Sequence, residues 1–293
     1  MSGKAGYPPE IAVLYIFTLR LTGAGNLQNI PMAEVISLLN HKGGVGKTTS
    51  VMNIGAGLAE LGKRVLLIDL DPQANLSLAL GVPRQPVTIY ESMMGESDLT
   101  PTNVKPGLDI VTSSLDLSSA EMELVNEAGR EFILRELFAG VDDRYDFIII
   151  DCPPSLGLLT LNALTSSRQI IIPLQTEFLA MQGLAKIKQV IQKVKLRLNK
   201  ELHIGGVMAT MYDHRKVLNR DVVATIQKYF GPLLFETYIR DNVALAESPA
   251  ARQDIFAYSP SSNGAEDYLN ICREVIERTA SPIHTRPRET STT

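Results

Sequence analysis

From Glu34 onward, short β-branched or aliphatic runs alternate with stretches of helical spacing. Seven runs read as strands: Val35–Asn40, Arg64–Leu70, Leu108–Thr112, Asp146–Asp151, Gln169–Leu174, His203–Met211 and Leu233–Ile239. Several are continuously apolar rather than alternating, notably Val65-Leu66-Leu67-Ile68 and Phe147-Ile148-Ile149-Ile150. Such strands are buried on both faces, as in a parallel sheet covered by helices. Gly183–Lys200 places Leu184, Ile187, Ile191, Val194 and Leu198 at helical spacing, with lysines flanking that stripe. Gly81–Gly107, rich in Pro, Ser, Thr and Gly, reads as an irregular excursion with room for a short helix near Ile89–Met94. The pattern predicts an α/β fold whose mostly parallel central sheet has about seven to eight strands, with helices on both faces.

At 293 residues the chain is long enough for two domains. However, the strands spread from 35 to 239 without a linker, which favours a single domain over 34–280. Residues 1–33 then form an N-terminal extension. Its lone Lys4, the apolar run Ile11–Phe17 and Thr22-Gly23-Ala24-Gly25 bear a faint likeness to a secretory signal, but a start at Met32 is the simpler reading. The polar tail 281–293 is expected to fray. No apolar run approaches the ~20 residues that span a bilayer. Cys152 and Cys272 lie far apart with no CxxC spacing, so neither a disulfide framework nor a thiolate metal site is indicated, and a cytoplasmic setting is expected.

The sharpest chemistry lies in His41-Lys42-Gly43-Gly44-Val45-Gly46-Lys47-Thr48-Thr49, directly after the first strand and opening a helix. A strand, glycine loop and helix N-terminus in that order surround a polyphosphate with backbone N–H groups. Lys47 neutralises phosphate oxygens and Thr48 offers a hydroxyl to Mg²⁺. The usual pattern wants glycine at 41, and here His41 is followed by an additional lysine, Lys42. Two further strands end in acid: Asp69-Leu70-Asp71-Pro72-Gln73-Ala74-Asn75 and Asp151-Cys152-Pro153-Pro154. Carboxylates at strand C-termini are where open α/β sheets place ligand chemistry.

These segments resemble the ParA/MinD superfamily of deviant Walker A ATPases, closest to the ParA/Soj-type partition proteins. The resemblance runs from about Val35 to about Arg278. It implies a P-loop NTPase fold, ATP and Mg²⁺ as cofactors, and slow, partner-stimulated hydrolysis. Gly43, Gly44, Val45, Gly46, Lys47, Thr48 and Thr49 match the nucleotide loop. Lys42 matches the lysine that reaches the phosphates of the other subunit in an ATP-bound sandwich dimer. Asp71 matches the residue that orients the attacking water near Mg²⁺, Asp69 the carboxylate nearer the metal's outer shell, and Asp151 the Walker B acid. An adenine contact carries over to Met211.

Such an ATPase works on a surface, either nucleoid DNA or a membrane. The C-terminal stretch Ser281-Pro282-Ile283-His284-Thr285-Arg286-Pro287-Arg288 holds prolines that prevent an amphipathic anchor helix, which disfavours a membrane. The net charge of −4 argues against nucleic acid until it is divided. Lys186 to Arg240 holds eleven Lys/Arg against four acids, a net of +7, which leaves −11 elsewhere. That asymmetry predicts a basic face that binds double-stranded DNA without reading sequence. Arg215 matches a family arginine, but the position of the usual second one is Ala244, so Arg220, Arg240 and Arg252 stand as compensating candidates. The reading is a nucleoid-associated partition ATPase with a ParB-like stimulating partner. A positioning ATPase for a protein cargo and a P-loop small-molecule kinase or synthetase remain the alternatives.

Overall fold

The computed structural model describes residues 32–177 and 180–280. Residues 1–31 of the expected extension and the expected tail 281–293 lie outside the described residues. The chain divides between Pro31 and Met32, and the unit from Met32 onward carries the sheet.

The apolar runs become strands β1 (Glu34–Leu38), β2 (Val65–Asp69), β3 (Thr102–Lys105), β4 (Leu108–Val111), β5 (Phe147–Asp151), β6 (Gln169–Gln175) and β7 (His203–Thr210). They form one sheet in the order β3-β4-β2-β5-β1-β6-β7, parallel except for the β3–β4 pair. Every residue of β2 and β5 is buried, as their unbroken apolar character requires. The register sets Leu38 beside Asp151 and Asp151 beside Asp69, so three strand ends finish level with one another.

Helices α1 (Lys47–Glu60), α2 (Asn75–Ala79), α3 (Ile89–Met93), α4 (Ala120–Glu123), α5 (Ile133–Phe138), α6 (Leu158–Ser166), α7 (Ala180–Arg197), α8 (Val217–Phe230), α9 (Val243–Glu247), α10 (Ile255–Tyr258) and α11 (Asn263–Ala280) connect or flank the strands. One core places the apolar stripes of α7 (Leu184, Ile187, Ile191, Val194) and α8 (Val222, Val223, Ile226) against Ile148, Ile150, Ile170 and Ile172. The other core packs α1 and α11 against Ile36, Leu38, Leu67 and Ile149. Gly57 lets these two helices close up, because a Cβ there would stand 2.7 Å from the Cys272 sulfur.

Two elements differ from the pattern-based expectation. Edge strand β3 lies inside the stretch read as irregular; four residues pairing antiparallel through a register shift leave no periodicity to detect. Conversely, Leu233–Ile239 is not a strand. It runs beside β7, joined by a single bridge from Leu234 to Val207, with a second just past both from Arg240 to Tyr212, while the backbone N–H groups of Glu236 and Thr237 donate to the Glu274 carboxylate, each at 2.9 Å. The N–H groups of Phe235 and Ile239 reach β7, but a side chain of α11 takes that of Thr237 between them and so interrupts the ladder.

Candidate nucleotide site

The loop after β1 is pinned at both ends and open in the middle. Asn40 donates through its amide to the Pro173 carbonyl at 2.7 Å and accepts the Lys42 N–H at 3.1 Å, which fixes the entry. Val45 is buried, and its carbonyl accepts the Thr210 hydroxyl at 2.9 Å, tying the loop to the end of β7. Gly44 and Gly46 have φ of +74° and +86°, which a side chain would strain. A Cβ built at Gly43 or Gly44 would meet nothing within 4 Å, so this backbone faces open space. Gly46 caps α1 without a side-chain hydrogen bond, leaving the first N–H groups of the helix to an incoming anion. Thr48 and Thr49 border a groove of about 500 Å³ alongside.

The two lysines diverge. Lys47 is buried, and its Nζ lies 3.4 Å from the Lys42 carbonyl, curled under the loop. The Lys42 Nζ turns outward, 2.7 Å from Glu177 Oε2 and 3.5 Å from Gln175 Oε1 at the end of β6. Sequence reading did not include Glu177, which lies 135 positions away with no motif to mark it.

The acids gather at the level strand ends. Asp69 is buried and both its oxygens are bonded: Oδ1 accepts the Asp71 N–H at 3.3 Å, and Oδ2 accepts the Ser77 N–H at 2.8 Å and the Ser77 hydroxyl at 2.7 Å. Asp71 accepts the Gln73 N–H at 3.0 Å. Asp151 is also buried, yet among the described residues neither of its oxygens has a hydrogen-bond partner. Burial first, and then the adjacent Asp69 charge, raise the Asp151 carboxyl well above the usual range. Thr48 and Lys47 favour its ionised form, but Thr48 makes no hydrogen bond of ordinary geometry to it.

An orphaned buried carboxylate beside a second one fits a cation. Mg²⁺ is bound by one or two protein oxygens, with waters and phosphates completing its shell. It therefore needs no larger cage, and among the described residues no cluster of three or more His, Cys, Asp or Glu side chains forms one. Asp151 and the Thr48 hydroxyl are the donors this arrangement offers.

The remaining expected residues do not assemble at one place. Met211, at φ +53° and half-exposed, follows β7 beside the loop, and its carbonyl accepts the Thr176 hydroxyl at 3.3 Å. Arg215 is clasped by Asp213 at 2.9 and 3.0 Å but stays 80% exposed. Arg220 is exposed at the start of α8 and donates to the His214 carbonyl. Arg252 is exposed at φ +58° and lines the groove beside Thr49 and Asn75. Arg240 is bound at 2.6 Å to Asp267 and at 2.7 Å to Glu266, locking the segment after β7 onto α11. Arg240→Ala would strand the buried Asp267 carboxylate and is expected to cost about 2–3 kcal/mol, less than a fully buried pair because solvent reaches the guanidinium. Thermal unfolding should show a midpoint about 5–10 °C lower.

Residues 33–204 match a family described as an AAA domain. The chain is 44% identical to a chromosome-partitioning ATPase Soj of Treponema pallidum, over 84% of this chain and 98% of that protein. The chain belongs to the ParA/Soj family of partitioning ATPases. A second relative in the family, the chromosome partitioning protein ParA of Caulobacter vibrioides, is 41% identical over 84% of this chain and 94% of that one. A solved structure from Mycobacterium smegmatis, described as cobyrinic acid a,c-diamide synthase with bound ADP and magnesium, superposes with a TM-score of 0.76 at 35% identity, covering 85% and 96% of the two chains.

Proposed function

We propose that this chain is a partition ATPase that hydrolyses ATP with Mg²⁺, dimerises around the bound nucleotide, and works while bound to DNA without sequence preference. The observation that carries the reading is the orphaned Asp151 carboxylate set beside Asp69 at the mouth of an open glycine loop with two lysines. Asp151 and Thr48 hold the metal, which when bound neutralises phosphate charge. Lys47 contributes positive charge from beneath the loop. Asp71, held by the Gln73 N–H, orients the attacking water. Lys42 acts on the nucleotide of a second copy. Its hold on half-exposed Glu177 is a surface ion pair worth no more than ~1 kcal/mol, and is readily exchanged for phosphate.

Support for DNA comes from charge placement. Lys186, Lys188, Lys193, Lys195 and Arg197 on α7, and Arg220 and Lys228 on α8, are all exposed, and both helices cover the same sheet face. This surface, which includes Arg220 and has Arg215 at its edge, is the proposed contact. ATP-dependent binding to nonspecific duplex DNA should fall linearly in log K against log salt. The double substitution Lys193→Ala and Lys195→Ala should flatten that slope by up to about 1.8, near 0.9 for each phosphate no longer neutralised. A salt-independent signal, or an unchanged slope in the double variant, would remove the basic face from the reading. Among the described residues no helix is long and apolar enough to cross a membrane. A ParB-like partner that stimulates hydrolysis completes the proposed cycle.

The Mycobacterium structure's description motivates a synthetase as the second reading. An amidating enzyme that draws ammonia from glutamine commonly needs a reactive thiolate. Both cysteines here are fully buried and their thiols are raised by that burial, Cys152 to about 12. Phosphate release stimulated by DNA and partner, without an amidated or phosphorylated small acid, separates the two readings.

A further inference from the structure

Ser77, in the middle of α2, lies outside the glycine loop and the two acidic segments, yet it closes the loop that carries Asp71. Its hydroxyl donates to Asp69 Oδ2 at 2.7 Å, its N–H donates to the same oxygen at 2.8 Å, and its Oγ accepts the Ser113 N–H at 3.2 Å. Three pieces of chain therefore meet at one buried hydroxyl: the end of β2, helix α2, and the segment following β4. The other Asp69 oxygen holds the Asp71 N–H. One carboxylate thus grips both the start and the finish of the stretch from Asp71 to Ser77.

That stretch needs gripping. Ala74 sits at φ +53°, a left-handed conformation that costs a non-glycine residue about 1 kcal/mol and persists only where neighbours enforce it. Asp69 itself lies in register with Asp151, so two buried carboxylates stand side by side. A donor on the far side of Asp69 offsets that repulsion and fixes the orientation of its carboxylate.

We propose that Ser77 is a positioning residue for hydrolysis: by holding Asp69, its hydroxyl sets where Asp71 stands. The inference rests on the reading of Asp71 as the group that orients water. The side chain of Ser77 bonds Asp69 and accepts the Ser113 N–H, and it acts through Asp69. Threonine keeps the hydroxyl, and alanine deletes it while leaving the Ser113 N–H without its acceptor.

The test compares Ser77→Ala, Ser77→Thr and Asp71→Ala in the full chain. Stimulated phosphate release gives kcat and KM, a fluorescent ATP analogue reports binding, and thermal unfolding reports folding. Loss of an outer-shell partner typically costs 10–100-fold, so Ser77→Ala should lower kcat by about that factor with KM and analogue binding within about threefold of the parent, and Ser77→Thr should recover to within about threefold. An unchanged kcat in Ser77→Ala, a loss expressed in KM alone, or a threonine variant as impaired as alanine would overturn the proposal. Should Ser77→Ala not fold, Ser77→Cys, close in volume but a weak donor, is read by the same criteria. If Asp71→Ala abolishes turnover while Ser77→Ala does not affect it, only the Ser77 inference falls. If Asp71→Ala retains turnover, the reading of Asp71 falls and takes this inference with it.

Discussion

Lys42→Ala is expected to reduce stimulated ATP hydrolysis by a factor on the order of 10³ or more, the scale on which a cation supplied in trans to a transferring phosphoryl group acts. Binding of a fluorescent ATP analogue to the monomer should change little, because Lys42 Nζ points away from its own loop to Glu177 and Gln175. Lys47, buried beneath the same loop, has no comparable freedom. The separation of rate from binding is the informative readout. If turnover stayed near the parent value, or if analogue binding fell in parallel with turnover, Lys42 would belong to its own nucleotide site or to none.

Asp71→Ala is expected to give the complementary phenotype, with turnover down by about 10²–10⁴, the usual contribution of a positioned group in proton transfer. An ATP-bound dimer should accumulate because it forms but cannot discharge. Light scattering after gel filtration with ATP and Mg²⁺ would show roughly doubled mass for Asp71→Ala and monomer for Lys42→Ala. Asp71 is suited to a role at the nucleotide because, among the described residues, its carboxylate accepts one hydrogen bond, from the Gln73 N–H, whereas both oxygens of neighbouring Asp69 are occupied. A monomeric Asp71→Ala protein with full ATP binding would argue that this carboxylate supports the dimer rather than the reaction.

What the chain discloses before folding is what short-range chemistry writes into it. The glycine loop is legible because positive φ at 44 and 46 demands glycine at fixed offsets from Lys47. The central strands are legible because burial on both faces leaves continuous apolar runs. Contacts between distant positions are not written this way. Nothing near Lys42 announces Glu177. Nothing in Ile239-Arg240-Asp241 tells that Arg240 pairs with Asp267 on α11. The +7 stretch illustrates both cases, since its exposed lysines occupy the outer faces of α7 and α8 while Arg240, counted in the same total, is an internal tie. Leu233–Ile239 has the composition of a strand, and it fails to become one because Glu274 claims the Thr237 N–H between the two, of Phe235 and Ile239, that reach β7.

That failed strand leaves the rim of the sheet sealed. β7 is the last member of the sheet, and an exposed final strand is a template for unwanted pairing between molecules. Here Phe235 and Ile239 donate to the β7 carbonyls of Val207 and Ala209, each at 2.9 Å, while Arg278 of α11 donates to the carbonyls of Gly205, Leu233 and Leu234. The cover thus depends on α11 staying docked. Loosening that helix would uncover a strand edge at the same moment as the apolar surface beneath it, so aggregation, rather than clean reversible unfolding, is the fate this architecture sets for a chain whose final helix comes free.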